Sequence, residues 1–289
     1  MRRLAMRLSV LSAAIGCLAL LSCGGRHEKT TPEIVARGVA TLPGDPEDRI
    51  WEKAPVHVAT LLLQDMVEPR LLEASTTHVR IQALADGSRL AIRMSWDDST
   101  RSDLLAPGKF GDACAVQFPV EGGADLPAPQ MGEEGRPVEI AFWSAAWQAL
   151  VDGRPRDIHA IYPGAKVDHY PYEAGSLEPG SSEQTAMESR YAPARAVGNP
   201  VAGPHDRPVQ DLLAAGPGTL TPAERTLSDG KGRFASASWV VLVSRPLPAT
   251  LAHTGRAQAA FAVWEGGNRE AGARKMRTGW IPISLEEGR

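Results

Sequence analysis

Short runs of alternating apolar and polar residues cover most of this chain. "HVRIQAL" and "SRLAIRMSW" flank "ADG". Val79, Ile81 and Ala83 share one face of the first run, and Leu90, Ile92 and Met94 share one face of the second. With a turn signal between them, the two runs predict a β-hairpin. "DACAVQFPV" reads as a further buried strand, and "PVEIAFWSAAW" as another in which Ile140 and Phe142 alternate with Glu139 and Ala141. "GRFASASWVVLVSRPL" reads as a strand with its preceding turn, "RAQAAFAVWEG" as the next strand and "TGWIPISLE" as the last. Pro282 suggests that this last strand lies at a sheet edge, because proline cannot donate to a ladder.

Two stretches break the alternation. Residues 152–228 are rich in Pro, Gly, Ser and polar residues, with one short helix-like run, "PVQDLLAAG", ended by Gly216. Residues 24–44 are polar with Pro and Gly, and read as a flexible tether. The folded part is expected to begin near "DRIWEKAPVHVATLL", anchored by Trp51. Many short strands with turn signals predict an all-β domain, a β-sandwich over residues 45–289, with a long loop- and helix-containing insertion at about 152–228. There is no internal repeat and no heptad pattern.

The start of the chain has a different pattern. Arg2, Arg3 and Arg7 precede an apolar run from Leu8 to Leu21 that is short for a membrane span. This is the pattern of an export signal over residues 1–23. The run ends in "LLSCGG", which resembles a bacterial lipoprotein processing box with Cys23 as the lipidated residue. The other reading is an ordinary signal peptide that contains a cysteine. Either way the protein is expected to be exported; lipidation would hold it at the periplasmic side of a bacterial membrane. Of the three cysteines, Cys17 would leave with the signal and Cys114 would remain as a small core residue.

Composition narrows the function by exclusion. The chain has 289 residues, 43% hydrophobic and 22% charged, with a formal net charge of −3, so it has no basic field for nucleic acid. It contains no G-x-S-x-G, no phosphate-binding loop, no C-x-x-C-H and no zinc-spaced Cys/His cluster. His57, His78, His159, His169, His205 and His253 are scattered; Asp168–His169 is a lone pair in a Pro/Tyr-rich loop. "WDDST" reads as a turn in preference to a calcium site, which needs more oxygen ligands. Met131, in "PAPQMGEEGRPVEIAFW", and Lys275, in "GARKMRTGW", read singly as a loop methionine and a surface lysine. They gain meaning only if something joins them.

The ordered set "RIWEKAP", "ALADGSRLAIRMSWDDST", "GDACAVQFPV", "PQMGEEGRPVEIAFW", "DLLAAGPGTLT", "ASASWVVLVSRPL" and "ARKMRTGWIPISLE" resembles the haem b (gamma) subunits of type II dimethyl sulfoxide reductase family molybdoenzymes. Relatives of that kind serve ethylbenzene dehydrogenase, dimethylsulfide dehydrogenase, selenate reductase and chlorate reductase. The resemblance covers nearly all of the chain after residue 45. It implies a β-sandwich holding one haem b non-covalently, with the iron ligated by a methionine sulfur and a lysine amine. By context these are Met131 ("QMG") and Lys275 ("ARK"). Met276 should point away from Lys275 by strand alternation, and Met94 ranks lower as an inward core residue. Gly132 and Gly272 would let backbone approach the ring, and Trp143, Phe118 and Trp280 are candidates for its apolar wall, although aromatics in strands are more often plain core. The resemblance further implies a non-catalytic electron-transfer subunit. Its partners would be iron–sulfur and molybdenum subunits and a cytochrome c or quinol-linked carrier. The lipoprotein-like start is not required by that family. The alternative reading is a carbohydrate- or ligand-binding β-sandwich lipoprotein without haem, using exposed members of the seven tryptophans.

Overall fold

A computed structural model describes residues 30–286, apart from 124, 156–157, 167–177, 179, 192 and 198–204. The signal region with Cys23 and the Asp168–His169 pair lie outside the described residues. The strands are β1 (Ile34–Gly38), β2 (His57–Thr60), β3 (Leu62–Leu63), β4 (His78–Ala85), β5 (Arg89–Asp97), β6 (Ala113–Pro119) and β7 (Val138–Ser144), then β8 (Val209–Ala214), β9 (Thr221–Pro222), β10 (Asp229–Ala235), β11 (Ser238–Pro246), β12 (Arg256–Trp264), β13 (Met276–Arg277) and β14 (Ile281–Leu285). They pair in the order β10-β11-β5-β4-β1-β14-β12-β6-β7-β8-β9, with β2 beside β4 and β13 between β12 and β3.

The strand order folds into a β-sandwich because β12 belongs to both layers. Its first part, Arg256–Ala259, pairs with β14, and its second part, Ala260–Trp264, pairs with β6. The main core lies between the layers. Val79, Ile81, Ile92, Met94 and Val241 enter it from one layer, and Val116, Phe118, Trp143, Phe261 and Val263 from the other. Each contributes through strand alternation, and burial of such side chains is worth roughly 1.5–3 kcal/mol apiece. A second apolar cluster covers the outer face of the β12-β6-β7-β8 layer, and a third, around Trp51, covers the outer face of the other layer.

The expected β4–β5 hairpin is present, its turn closed by Asp86 Oδ1, which accepts from Ser88 N (2.9 Å) and Arg89 N (2.8 Å). Cys114 is a free, fully buried core residue whose thiol pKa burial pushes upward. "WDDST" forms a turn in which Asp98 Oδ1 accepts from Thr100 N at 2.9 Å. Among the described residues no His/Cys/Asp/Glu group could hold a metal ion, and no helix is long and apolar enough to cross a membrane.

Several expectations fail for identifiable reasons. The tether does not extend to residue 44: β1 lies between β4 and β14, parallel to both, with Ile34 and Ala36 buried in the core. "PVQDLLAAG" is not helical. It supplies β8, which completes the backbone ladder along β7, and the Asp211 carboxylate accepts from Leu227 N and Ser228 N. The excursion expected over 152–228 therefore returns to the sheet at Val209. "GRFASASWVVLVSRPL" is a whole hairpin, β10–β11, turning on Ser236 and Ala237 at φ 51° and 54°. Pro282 is in an interior strand, not at an edge. It is tolerated because β1 pairs with β14 only from Ile283 onward, leaving the nitrogen of Pro282 outside that ladder.

The β10 glycines are a packing requirement. A methyl group on Gly232 would fall inside the Trp143 ring. Gly232→Ala is therefore expected to destabilise the fold by at least about 2 kcal/mol, read as a lowered denaturant midpoint. An unchanged midpoint would show that Trp143 can move aside.

Candidate functional site

The outer face of the β12-β6-β7-β8 layer is built from small residues with large ones at its borders. Cross-strand partners share a face, so Arg277, Ala262, Ala115 and Phe142 line up across β13, β12, β6 and β7. Ala113 and Ile140 add to the same face, and Met131 and Trp280 pack against it. Phe142 meets the Trp264 ring edge-on, with centroids 5.4 Å apart.

Lys275 reaches this face because of β13. Met276 is paired with Val263 on one side and Leu63 on the other, and its side chain is buried in the inter-layer core. Alternation then turns Lys275 to the outer face, where its Nζ lies 4.9 Å from the centre of the Trp264 ring. The loop leading to it is held at both ends. Asp112 Oδ1 accepts from Gly266 N (2.8 Å), and Gln64 Nε2 donates to Ala273 O (3.2 Å). Trp264 Nε1 donates to Gly272 O at 3.0 Å. Burial, reinforced by the charge of Asp98, pushes the Asp112 carboxyl up to about 7.

Met131 arrives from a separate loop. Trp280 Nε1 donates to Pro127 O (2.7 Å), Gln117 Nε2 to Pro129 O (2.7 Å) and Gly216 N to Met131 O (2.9 Å). The backbone of Met131 sits at φ 74°, followed by Gly132 at φ 76°. Left-handed backbone at an unbranched non-glycine residue costs of order 1–3 kcal/mol, so the surrounding contacts must hold it there. Gly132 is required for close approach, since a Cβ would lie 2.9 Å from Arg136 O and 3.1 Å from Ala214 O. The result is that Met131 Sδ and Lys275 Nζ, 144 residues apart in sequence, lie 3.7 Å from each other.

That pair has an unusual electrostatic setting. Lys275 is half-buried, and its amine lies against the Trp264 ring and the Met131 sulfur. Burial first, and the charge of Arg277 second, push its pKa down to about 8. Burial also lowers Arg277. A thioether and an amine whose proton is made easier to remove by burial lie side by side, beside a face of alanines edged by aromatics. This donor set fits an axially ligated haem iron.

Not every expected wall residue is here. Trp143 and Phe118 face the opposite way, into the inter-layer core, because β6 and β7 alternate out of phase with the site. Only Trp280 of the three shares the cluster with Met131. Met276 and Met94 are both buried in the main core, away from Lys275's face. Trp264, Phe142 and Arg277 were missed by sequence reading. The signal that finds them is strand parity, once Lys275 is aligned against Trp264.

A family model for ethylbenzene dehydrogenase matches residues 48–276. Curated relatives include a protein of Haloferax mediterranei named for a heme subunit of respiratory nitrate reductase, 24% identical over 98% of this chain and 85% of its own length. The chlorate reductase gamma subunit of Ideonella dechloratans is 28% identical over 48% of this chain and 62% of its own length. The dimethylsulfide dehydrogenase gamma subunit of Rhodovulum sulfidophilum is 22% identical over 88% and 80%. Among solved structures, a family 9 carbohydrate-binding module of Caldicellulosiruptor kristjanssonii with cellotriose aligns at a TM-score of 0.41 and 9% identity, over 89% of this chain and 94% of that one.

The lowered Lys275 pKa makes a stability prediction for the haem-free protein. Below pH 8 both folded and unfolded states hold the proton, so the cost of burying the charge is fully present. Between about 8 and 10.5 the folded state alone releases the proton, and stability rises with pH. Lys275→Met should thus be more stable than wild type by about 1–3 kcal/mol at pH 7, with the gap closing by pH 10.5. Denaturation at the two pH values checks this; a pH-independent gap would mean that the amine is not buried as a cation.

Proposed function

Because the chain belongs to the ethylbenzene dehydrogenase family, we propose that it is the haem b-binding, electron-transfer subunit of a molybdenum oxidoreductase complex. The observation that carries this reading is the 3.7 Å convergence of Met131 Sδ and Lys275 Nζ, the amine's pKa pushed down by burial to about 8. Met131 and Lys275 would be the two side chains that hold the iron. Haem bound there supplies a one-electron iron couple.

The chain's own residues set the conditions for that couple. Lys275 binds only as the free amine, and its burial makes release of the proton easier by the same desolvation that destabilises the charged form. Met131, neutral and weakly donating, would raise the reduction potential relative to a nitrogen ligand. Two protein ligands on the iron would suit the haem to carrying electrons rather than binding substrate. Conversion of substrate therefore belongs to a separate molybdenum subunit, and this chain is not an enzyme by itself. Within the proposal, electrons pass between an iron–sulfur subunit and an external carrier, a cytochrome c or a quinol-linked protein.

Attachment to the periplasmic side of a membrane through lipidated Cys23 is also part of this proposal. It is supported by the arginines, apolar run and "LLSCGG" of the first residues.

A carbohydrate-binding role is not favoured. Such a module would present exposed tryptophans. Here Trp51, Trp96, Trp143, Trp147, Trp239 and Trp264 are buried, and Trp280 is partly buried and hydrogen-bonded to Pro127.

Purified after expression with haem supplied, the protein should give a six-coordinate b-type spectrum on reduction with dithionite. Lys275→Ala and Met131→Ala should each lose haem or shift it to a five-coordinate form. A spectrum unchanged in both variants would remove these two residues as ligands. Labelling of cells with radioactive palmitate should mark wild type and not Cys23→Ala; an unlabelled wild type would remove the anchor from the proposal.

A further inference from the structure

Arg277 has a feature that ligation by Met131 and Lys275 does not use. Its residue exposure is 9%, yet its Nε has no hydrogen-bond partner, and among the described residues the guanidinium makes no ion pair or hydrogen bond. A buried guanidinium nitrogen normally finds an acceptor, because a polar group taken out of water without a hydrogen bond is destabilising. Asp65 attracts Arg277 electrostatically but lies outside ion-pair distance. The neighbouring cation Arg274 also has a buried Nε without a partner. Beside Lys275, then, Arg277 carries a positive charge with no carboxylate bound to it among the described residues.

The register says which way Arg277 points. It pairs with Ala262, which belongs to the outer-face cluster of Met131 and Trp264, while the intervening Met276 points to the main core. Arg277 and Lys275 therefore share a face, separated by one strand period of roughly 7 Å. Ala262, the cross-strand partner of Arg277, and Ala115 beyond it present only methyl groups on that face. A planar fork of donors next to an axial ligand, facing the same shelf, suits a carboxylate carried at the edge of the ring held there.

We propose that Arg277 binds a propionate carboxylate of the haem and is the main source of discrimination for the charged ring edge. This rests on the haem reading above. The shared chemistry is a carboxylate, and the other possible source is an acidic side chain of a partner subunit. The two are separated by using hemin and hemin dimethyl ester, whose propionates are blocked, as probes of the full chain without partners. The readout is the rate at which excess apomyoglobin extracts each ring, followed at the Soret band.

Wild type is expected to retain hemin about ten- to a hundredfold longer than the ester, as a buried charge-assisted hydrogen bond implies. Arg277→Gln should release both at the ester's rate. Arg277→Met, linear and apolar, serves the same comparison if the glutamine variant does not fold. An undiminished preference for hemin in either folded variant would overturn the assignment, as would equal retention of the two rings by wild type, which would leave Arg277 to a partner's carboxylate. If wild type binds neither ring, it is the haem reading itself that fails.

Discussion

An amine can bind a metal only after it gives up its proton, and the architecture around Lys275 is arranged to make that loss inexpensive. The chain encloses a lysine tip against Trp264, places Arg277 two residues away, and offers it no carboxylate among its hydrogen-bond partners. In ordinary packing such an arrangement is a defect. A surface lysine would be left in water, and a buried one would be paired. The parity of a two-residue strand, β13, enforces it: Met276 is committed to the inter-layer core, so Lys275 has no choice of face.

Met131 is held by a different kind of constraint. Its loop is fixed by hydrogen bonds from Trp280 and Gln117 and by the close packing of Gly132, and its backbone is kept in the left-handed region. Strain of this sort persists where surrounding contacts over-determine it, and such places are often functional. Two unfavourable features, a desolvated amine and a strained methionine, meet at 3.7 Å on a face lined by alanines. Each is costly alone. Coordination to a shared iron would offset both, which makes the pair more informative than either residue.

Much of this was legible in the sequence, for physical reasons. The β4–β5 hairpin, β6, β12 and the burial of Cys114 follow from period-two alternation with turn residues between runs. Met131 and Lys275 were reachable only through resemblance to a family, since a loop methionine and a lysine before a strand carry no local signal. The failures are equally specific. β1 was lost because five residues of alternation at the end of a polar stretch resemble a tether. β8 was read as helical because "DLLAA" has good helix formers, and only pairing with β7 overrides that preference. Trp143 and Phe118 are plain core, the commoner role of strand aromatics, and the sequence leaves both roles open because parity on a strand cannot be fixed until one residue's face is known. Arg277 was invisible for a related reason: what marks it is the lack of a partner, which only three dimensions reveal.

The proposal stands or falls on whether a thioether and an amine of this chain, Met131 and Lys275, would both bind a haem iron. Iron K-edge X-ray absorption on the haem-loaded ferric protein tests it most directly, because sulfur and nitrogen scatter differently in the first shell. A single sulfur at bonding distance, absent from Met131→Ala, is the predicted result. A first shell made only of nitrogen or oxygen atoms in the wild-type protein would contradict it.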